Sequence, residues 1–469
     1  MKKFLWSLCF LSLISTQIRA QNCQDLQLEA QAEIPSTCNA IAMTMLQDRA
    51  GQPFLYVANK EAGLKIYDIT NPTSPQFVNE VPPGLLDSLH VMNLAQEGNY
   101  LYLALGNFFN SNQASGMAII DISAPLFPVV SDLWKLEGSI GGSGIIVPAG
   151  DVAYLGAMGN GVVALDVSDK ANVQLLGQFA PDINFPDANA DPEKVNARGM
   201  AVRNDTIYLA YDAGGLRIID ATKPNQMTEI GRYANPTLNG KPRAYNNLVL
   251  DGELVYITID YCGLEVLDVS NPGNITLTGW WNPYGCPDNN WFTSPSHTNE
   301  IKFLEGCQKL FISTGKSDLV VVDVGDPSQP DSCFTYGGVD NGIGTWGVDL
   351  WEDQVYLSYV CSFIPFSSNW TGVKSAKLSG CFLANPEAGF LETPEPEIFP
   401  NPADQIITMN GKSIEHVSIF DAQGKLIMQT SYPEAQSINV PVHFLSEGLY
   451  YLEIEEQRQI YRQKIFISH

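Results

Sequence analysis

The sequence predicts an all-β chain: a seven-bladed β-propeller closed by an N-terminal strand, followed by a small C-terminal β-sandwich. Three observations carry this. First, an apolar run ending in Asp and breaking into a turn recurs six times: IYDITNP (66–72), IIDISAP (119–125), ALDVSDK (164–170), IIDATKP (218–224), VLDVSNP (266–272) and VVDVGDP (321–327). Second, successive motif aspartates keep a narrow spacing, with Asp121 and Asp166 closest at 45 residues and Asp268 and Asp323 farthest at 55. Third, every interval holds the same order of short strands, and four strands per unit of roughly 40–55 residues is the signature of a propeller blade.

Within a unit a strand with an aromatic residue comes first: LYVA at Leu55, LYLA at Leu101, AYLG at Ala153, IYLA at Ile207, VYIT at Val255 and LFIS at Leu310. A tight turn follows, usually with glycine (Gly63, Gly116, Gly161, Gly215, Gly263). The strand ending in the motif Asp is next, then the turn, then a shorter strand such as LLGQFA, EIGRYA or LTGWWN. Alternation, β-branched residues and Gly/Asn/Pro punctuation favour strand throughout. At a strand end the Asp carboxylate accepts from N–H groups of the turn, the Ser or Thr two residues later does the same, and Pro stops the ladder. Six equivalent aspartates around a ring do not converge on a substrate, so their role is structural.

A seventh unit is degenerate. VYLSYV (355–360) is its aromatic strand, TGVKSAKL (371–378) replaces the Asp strand without its Asp, and no outer strand follows. The missing strand stands at the other end of the chain, as LQLEAQAEI (26–34). The ring is expected to close on its own N-terminus, because an open ring leaves strand edges unpaired. A nine-residue strand spans about 30 Å, so Cys23 and Cys38 at its two ends cannot bond each other. Placing the remaining cysteines by face predicts the pairs Cys23–Cys381, Cys38–Cys361, Cys262–Cys286 and Cys307–Cys333.

These repeats resemble the LVIVD family of bacterial and archaeal extracytoplasmic proteins, which implies a β-propeller over residues 54–378. Lys170 in place of proline and Gly325 in place of Ser/Thr are departures from the pattern.

The ends of the chain concern export. Lys2 and Lys3 precede an apolar stretch from Phe4 to Ile14 and a polar segment ending at Ala20, the layout of a signal peptide over residues 1–20. No later stretch approaches the ~20 apolar residues of a membrane span, so no transmembrane segment is expected in the mature chain. Nine cysteines, less Cys9 in the signal, leave an even set that lacks zinc-site spacing, and an exported chain uses such a set for disulfides. After the propeller (21–383) comes a Pro/Glu-rich linker (384–397), then short strands over 398–469. This last module resembles the sorting domain of the type IX secretion system of Bacteroidota in IFPNPA (398–403), IFDAQGKLI (419–427), LSEGLYYLEI (445–454) and KIFIS (464–468). The resemblance implies handling by that machinery and a secreted or outer-membrane-surface location. Tryptophan is absent after Trp370, which speaks against a carbohydrate-binding sandwich.

With 26 Lys+Arg against 51 Asp+Glu, the net charge is −25, which disfavours nucleic acid and anionic membranes as partners. The acidity is read as solubility; no DxDxDG-type loop supports calcium, and no cofactor is expected. No GxSxG, SxxK or P-loop occurs. Long loops joining each outer strand to the next blade (180–197, 234–244, 282–297) mark the face where binding belongs. Counting back from each aromatic strand brings His90, Gly144, Arg198, Asn246, Glu300 and Trp346 to one level at the channel mouth, with Arg243 and His297 slightly above. Such a set fits a polar ligand, and Trp291 in the aromatic segment NPYGCPDNNWF (282–292) fits a stacking contact. Two readings follow. One is a non-enzymatic binding or scaffold protein holding a protein or glycan on the loop face. The other is an extracellular hydrolase or lyase acting on a polysaccharide or small ester at the channel mouth, with His and Glu as acid and base.

Overall fold

The computed structural model describes residues 26–109, 112–288, 290–338, 343–361, 370–380, 397–421, 426–456 and 459–468, with Cys23 and Ser368. The expected signal peptide and residues 384–396 of the expected linker lie outside them. No α-helix occurs among the described residues. The chain divides into two compact units, Met1–Phe382 and Leu383–His469.

The first unit is a propeller of seven four-stranded antiparallel sheets. The N-terminal strand β1 is Gln27–Pro35; blade one follows as β2 (Thr44–Gln47), β3 (Phe54–Ala58), β4 (Leu64–Asp68) and β5 (Gln76–Val81), from channel to rim. The later inner strands are Val91–Glu97, Ile145–Ala149, Gly199–Arg203, Tyr245–Asp251, Ile301–Leu304 and Thr345–Trp351. Blade seven takes β1 as its outer strand, with Gln27 opposite Ser379 and Pro35 opposite Gly372. The ring is therefore closed by its own N-terminus.

Each motif Asp does the same local work. The carboxylates of Asp68, Asp121, Asp166, Asp220, Asp268 and Asp323 accept the backbone N–H two residues on, at 2.7, 2.8, 3.0, 2.9, 2.9 and 2.8 Å. Gly325 still donates its N–H, which is why the loss of Ser/Thr there is tolerated. Hydrogen bonds from the hydroxyl and amide two residues later hold Asp68, Asp166, Asp220 and Asp268 below the usual carboxylate range.

Neighbouring blades meet at two repeated joints. Near the channel, the last or next-to-last residue of each aromatic strand lies against the next inner strand. Ala58, Ala104, Gly156 and Ala210 are small there. In blades five to seven, Thr258, Ser313 and Ser358 instead donate their hydroxyls to the carbonyls of Asn299, Trp346 and Met43. At the rim, the outer strands of blades three, four and five each carry a bulge that meets the turn of the next blade. A Cβ on Gly177, Gly231 or Gly279 would fall 2.4, 2.4 or 2.3 Å from the carbonyl of Pro224, Pro272 or Pro327, so only glycine fits. Asp132 takes this place in blade two and accepts Val173 N–H at 2.6 Å.

The rim joint also explains a correction to the disulfides. Cys38 bonds Cys361 and Cys262 bonds Cys286, but Cys23 bonds Cys333 rather than Cys381. Cys333 sits in the bulge of the blade-six outer strand, and Cys23 precedes the outer strand of blade seven. That is the same blade-to-blade contact, made covalent. The expected pairs Cys23–Cys381 and Cys307–Cys333 are therefore wrong. Cys307 is disulfide-bonded, and Cys381 lies outside the described residues.

The second unit is a five-stranded antiparallel sheet: Glu397–Phe399, Ile406–Asp421, Leu426–Pro441, Gly448–Glu456 and Gln459–Ile467. The expected sandwich is built from this one sheet, curled until Ala403 meets Ile467. Its core includes Ile407, Met409, Val417, Ile419, Leu452 and Ile465, with Ile465 and Ile467 inward and Phe466 outward as period-2 alternation requires.

Candidate functional site

Four of the counted channel-mouth residues share one level. Gly144, Arg198, Asn246 and Trp346 each stand eight residues before the first residue of their second strand. Met92 and Asn299 join them as the equivalents from blades two and six, and Glu300 lines the same spot one step deeper. His90 does not: it precedes the inner strand by one residue, and the same count of eight back from Tyr100 falls on Met92 instead. Asn299 replaces Glu300 in the ring because the turn between Leu304 and Lys309 in blade six holds four residues rather than two.

This mouth is filled and internally satisfied. Phe108, Phe109 and Trp346 pack as one aromatic cluster, with centroids 4.3–6.1 Å apart. The Arg198 guanidinium lies 5.3 Å from the Phe108 ring and 5.7 Å from the Trp346 ring. Asn246 donates to Thr298 O at 2.7 Å, and Asn247 donates to Glu300. Burial raises the Glu300 pKa, and it lowers that of His90.

The open concavity on the loop face lies over blades four and five. It is a cleft of about 670 Å³ walled by the three long loops and floored by two hairpin tips. The loops contribute residues 187–195, 240–244 and Trp291; the tips contribute Asp212 and Asp260. Asp260 is held by His297 Nδ1 at 2.5 Å and by Trp291 Nε1 at 2.5 Å. Asp212 is buried and accepts from Asn196 Nδ2 at 3.0 Å. Burial pushes the Asp212 carboxyl up to about 6, Arg198 opposes the shift, and neighbouring Asp260 adds to it.

The walls are braced from behind. Arg243, with its side chain only 1% exposed, bonds Asp187 and donates to Ala213 O and Leu238 O, both at 2.9 Å. It is a strut between loops. The fully buried Arg217 donates to Gly214 O (2.9 Å), Asp182 O (2.9 Å) and Phe185 O (3.0 Å), and pairs with Glu229 at 2.9 Å. The Cys262–Cys286 bond ties the blade-five tip to the loop carrying Trp291. His297, also fully buried, orients Asp260. Trp281 is buried, and Trp280 donates to Cys262 O at 2.9 Å, so both pack rather than present.

The loop 234–244 is anchored by a buried acid. Glu265 is wholly buried and accepts from Asn235 and from the Tyr245 hydroxyl (3.2 Å). Burial raises its pKa from 4.5 to about 7. A folded-state pKa above the unfolded one means stability is present below about 4.5 and is lost as pH rises to about 7. The shift corresponds to about 3 kcal/mol at most. Glu265→Gln is therefore expected to flatten the fall in urea midpoint between pH 5 and pH 8; an unchanged slope would place the effect elsewhere.

Sequence reading missed Asp212, Asp260 and the Phe108–Phe109 pair. A signal existed: YDAGG (211–215) and IDYCG (259–263) put Asp at the same hairpin-tip step in two successive blades.

Six stretches, 52–82, 90–132, 143–180, 196–235, 242–282 and 310–337, match the LVIVD repeat, and residues 397–468 match the secretion system C-terminal sorting domain. Among solved structures, the chain is similar to the β-propeller domain of Myceliophteria thermophila Cps50, with 11% identity, 74% of this chain and 99% of that one covered, and a TM-score of 0.49. It is similar to the computationally designed Ika8 protein, with 10% identity, coverage of 94% and 100%, and a TM-score of 0.44. It is also similar to PorZ, a surface component of the type-IX secretion system of Porphyromonas gingivalis, with 12% identity, coverage of 89% and 64%, and a TM-score of 0.41. A comparison with curated proteins finds no match.

Proposed function

We propose that this chain, an LVIVD-repeat β-propeller that carries a secretion-system C-terminal sorting domain and is secreted or surface-displayed, is a non-enzymatic binding protein. Its ligand-bearing face is the loop face over blades four and five. The observation that carries this reading is a contrast. The channel-mouth residues bond one another beneath an aromatic cluster, while the cleft is open and its three walls are fixed by Arg217, Arg243 and a disulfide. Rigid walls around an apolar concavity with a few convergent polar groups favour ligand recognition, because little ordering is needed on binding. The hydrolase or lyase reading needs His90, Arg198, Glu300 and His297 together. His90 stands off the ring and His297 is bonded to Asp260, which weighs against it.

The test is the mature propeller on peptide and glycan arrays, beside Trp291→Ala and Trp346→Ala. A true ligand is expected to be lost roughly tenfold by Trp291→Ala and retained by Trp346→Ala. The opposite ranking would move the site to the channel and overturn the proposal.

A further inference from the structure

Resting on the cleft reading above, we propose that the cleft receives a basic side chain, lysine or arginine, of a partner protein. The cation is seated at Asp212 and Asp260, with Trp291 as its aromatic wall. The reasoning begins with the charges. Three cations at or beneath the cleft already have partners, and among the described residues Lys241 on its wall forms no ion pair with Asp212 or Asp260. Arg243 is bonded to Asp187, Lys194 lies 3.5 Å from Asp191, and Arg198 is held between the Phe108 and Trp346 rings. Among the described residues, no Lys, Arg or His forms an ion pair with Asp212, although it is more than nine-tenths buried and lines the cleft. Burial of this carboxyl outweighs the pull of Arg198 on it, and an incoming cation would relieve that cost.

Shape and surface agree with this chemistry. Ala190, Val195, Ala213, Pro242 and Tyr261 supply an apolar lining that suits the methylene stem of a long basic side chain, while its head reaches the carboxylates. The Trp291 ring is fixed by its bond to Asp260 and by edge contacts to His297 at 5.6 Å and Phe292 at 4.9 Å. A fixed indole beside two carboxylates offers a basic side chain both apolar contact and charge. The net charge of −25 steers a basic partner toward the protein and repels an acidic one.

The experiment titrates full-length mature protein with a capped pentapeptide, acetyl-Ala-Ala-Lys-Ala-Ala-amide, followed by Trp fluorescence and calorimetry. Its partners are the same peptide with norleucine for lysine, and glucosamine as the sugar-borne amine. The lysine peptide is expected to bind, the norleucine peptide to bind at least tenfold more weakly, and Asp212→Asn to weaken the lysine peptide at least tenfold at unchanged melting temperature. Equal binding of both peptides, or a lysine peptide indifferent to Asp212→Asn, would overturn the inference. So would glucosamine binding better than the lysine peptide, which would make the ligand a glycan. The two proposals fail separately. A neutral array ligand that still depends on Trp291 removes the cation and keeps the cleft; no Trp291-dependent ligand removes both.

Discussion

Removing one of the two bonds that close the ring, with Cys38→Ser and Cys361→Ser together, is expected to destabilise the propeller by about 4 kcal/mol. With Cys23–Cys333 still in place, removing this bond opens the 15 residues from Cys23 to Cys38 and the 28 from Cys333 to Cys361, and the chain-entropy cost of a loop that size is about 4 kcal/mol. The Cys38–Cys361 bond also fixes one end of β1, the strand that covers the edge of Gly372–Ser379. Once β1 frays, that edge is free to pair with another chain. Urea unfolding should show the lower midpoint, and size-exclusion should show concentration-dependent association absent from the wild type. A midpoint equal to wild type would mean that blade packing and Cys23–Cys333 hold the closure without it.

The second large effect is at Arg217. Arg217→Ala is expected to cost about 3–5 kcal/mol, the range for leaving buried partners of an ion pair unmatched. The deletion leaves Glu229 with only its weaker partner Arg232 at 3.7 Å, strands the carbonyls of Asp182, Gly214 and Phe185, and removes the cation stacked 4.9 Å from the Phe185 ring. Arg217→Lys should recover little, since an ammonium cannot reproduce the planar fork. The loop 180–197 loosens in either variant, so Trp291-dependent binding should weaken along with stability. A loss under 1 kcal/mol in urea would show that these bonds merely replace water.

Some of the site was legible before any coordinates. The three loops singled out by length, 180–197, 234–244 and 282–297, are the three that wall the cleft, and Trp291 was marked within one of them. Loop length and turn chemistry are written locally, so they survive the step from sequence to fold. His90 and Glu300 failed for a different reason. Counting assumes equal turns, which the four-residue turn in blade six breaks, whereas in blade two an even count back from Tyr100 reaches Met92 and His90 lies two residues too early. Arg243 was read as a ligand contact because charge near a loop looks available. Its guanidinium is instead consumed by three partners, one each from its own loop, the loop 180–197 and a hairpin tip.

The sequence by itself determined the blade count, the face on which the Asp turns lie, the borrowing of the N-terminal strand and the export signals. All of these rest on period-2 patterning and short turns, whose physics extends over a few residues. Only the tertiary structure decided that Cys23 reaches Cys333, that Phe108 and Trp346 fill the channel mouth, and that Asp212 and Asp260 meet under Trp291. Those meetings depend on how successive blades are rotated and how far each bulge pushes an outer strand toward its neighbour. Contacts across blades are set by that summed geometry, and no local pattern encodes it.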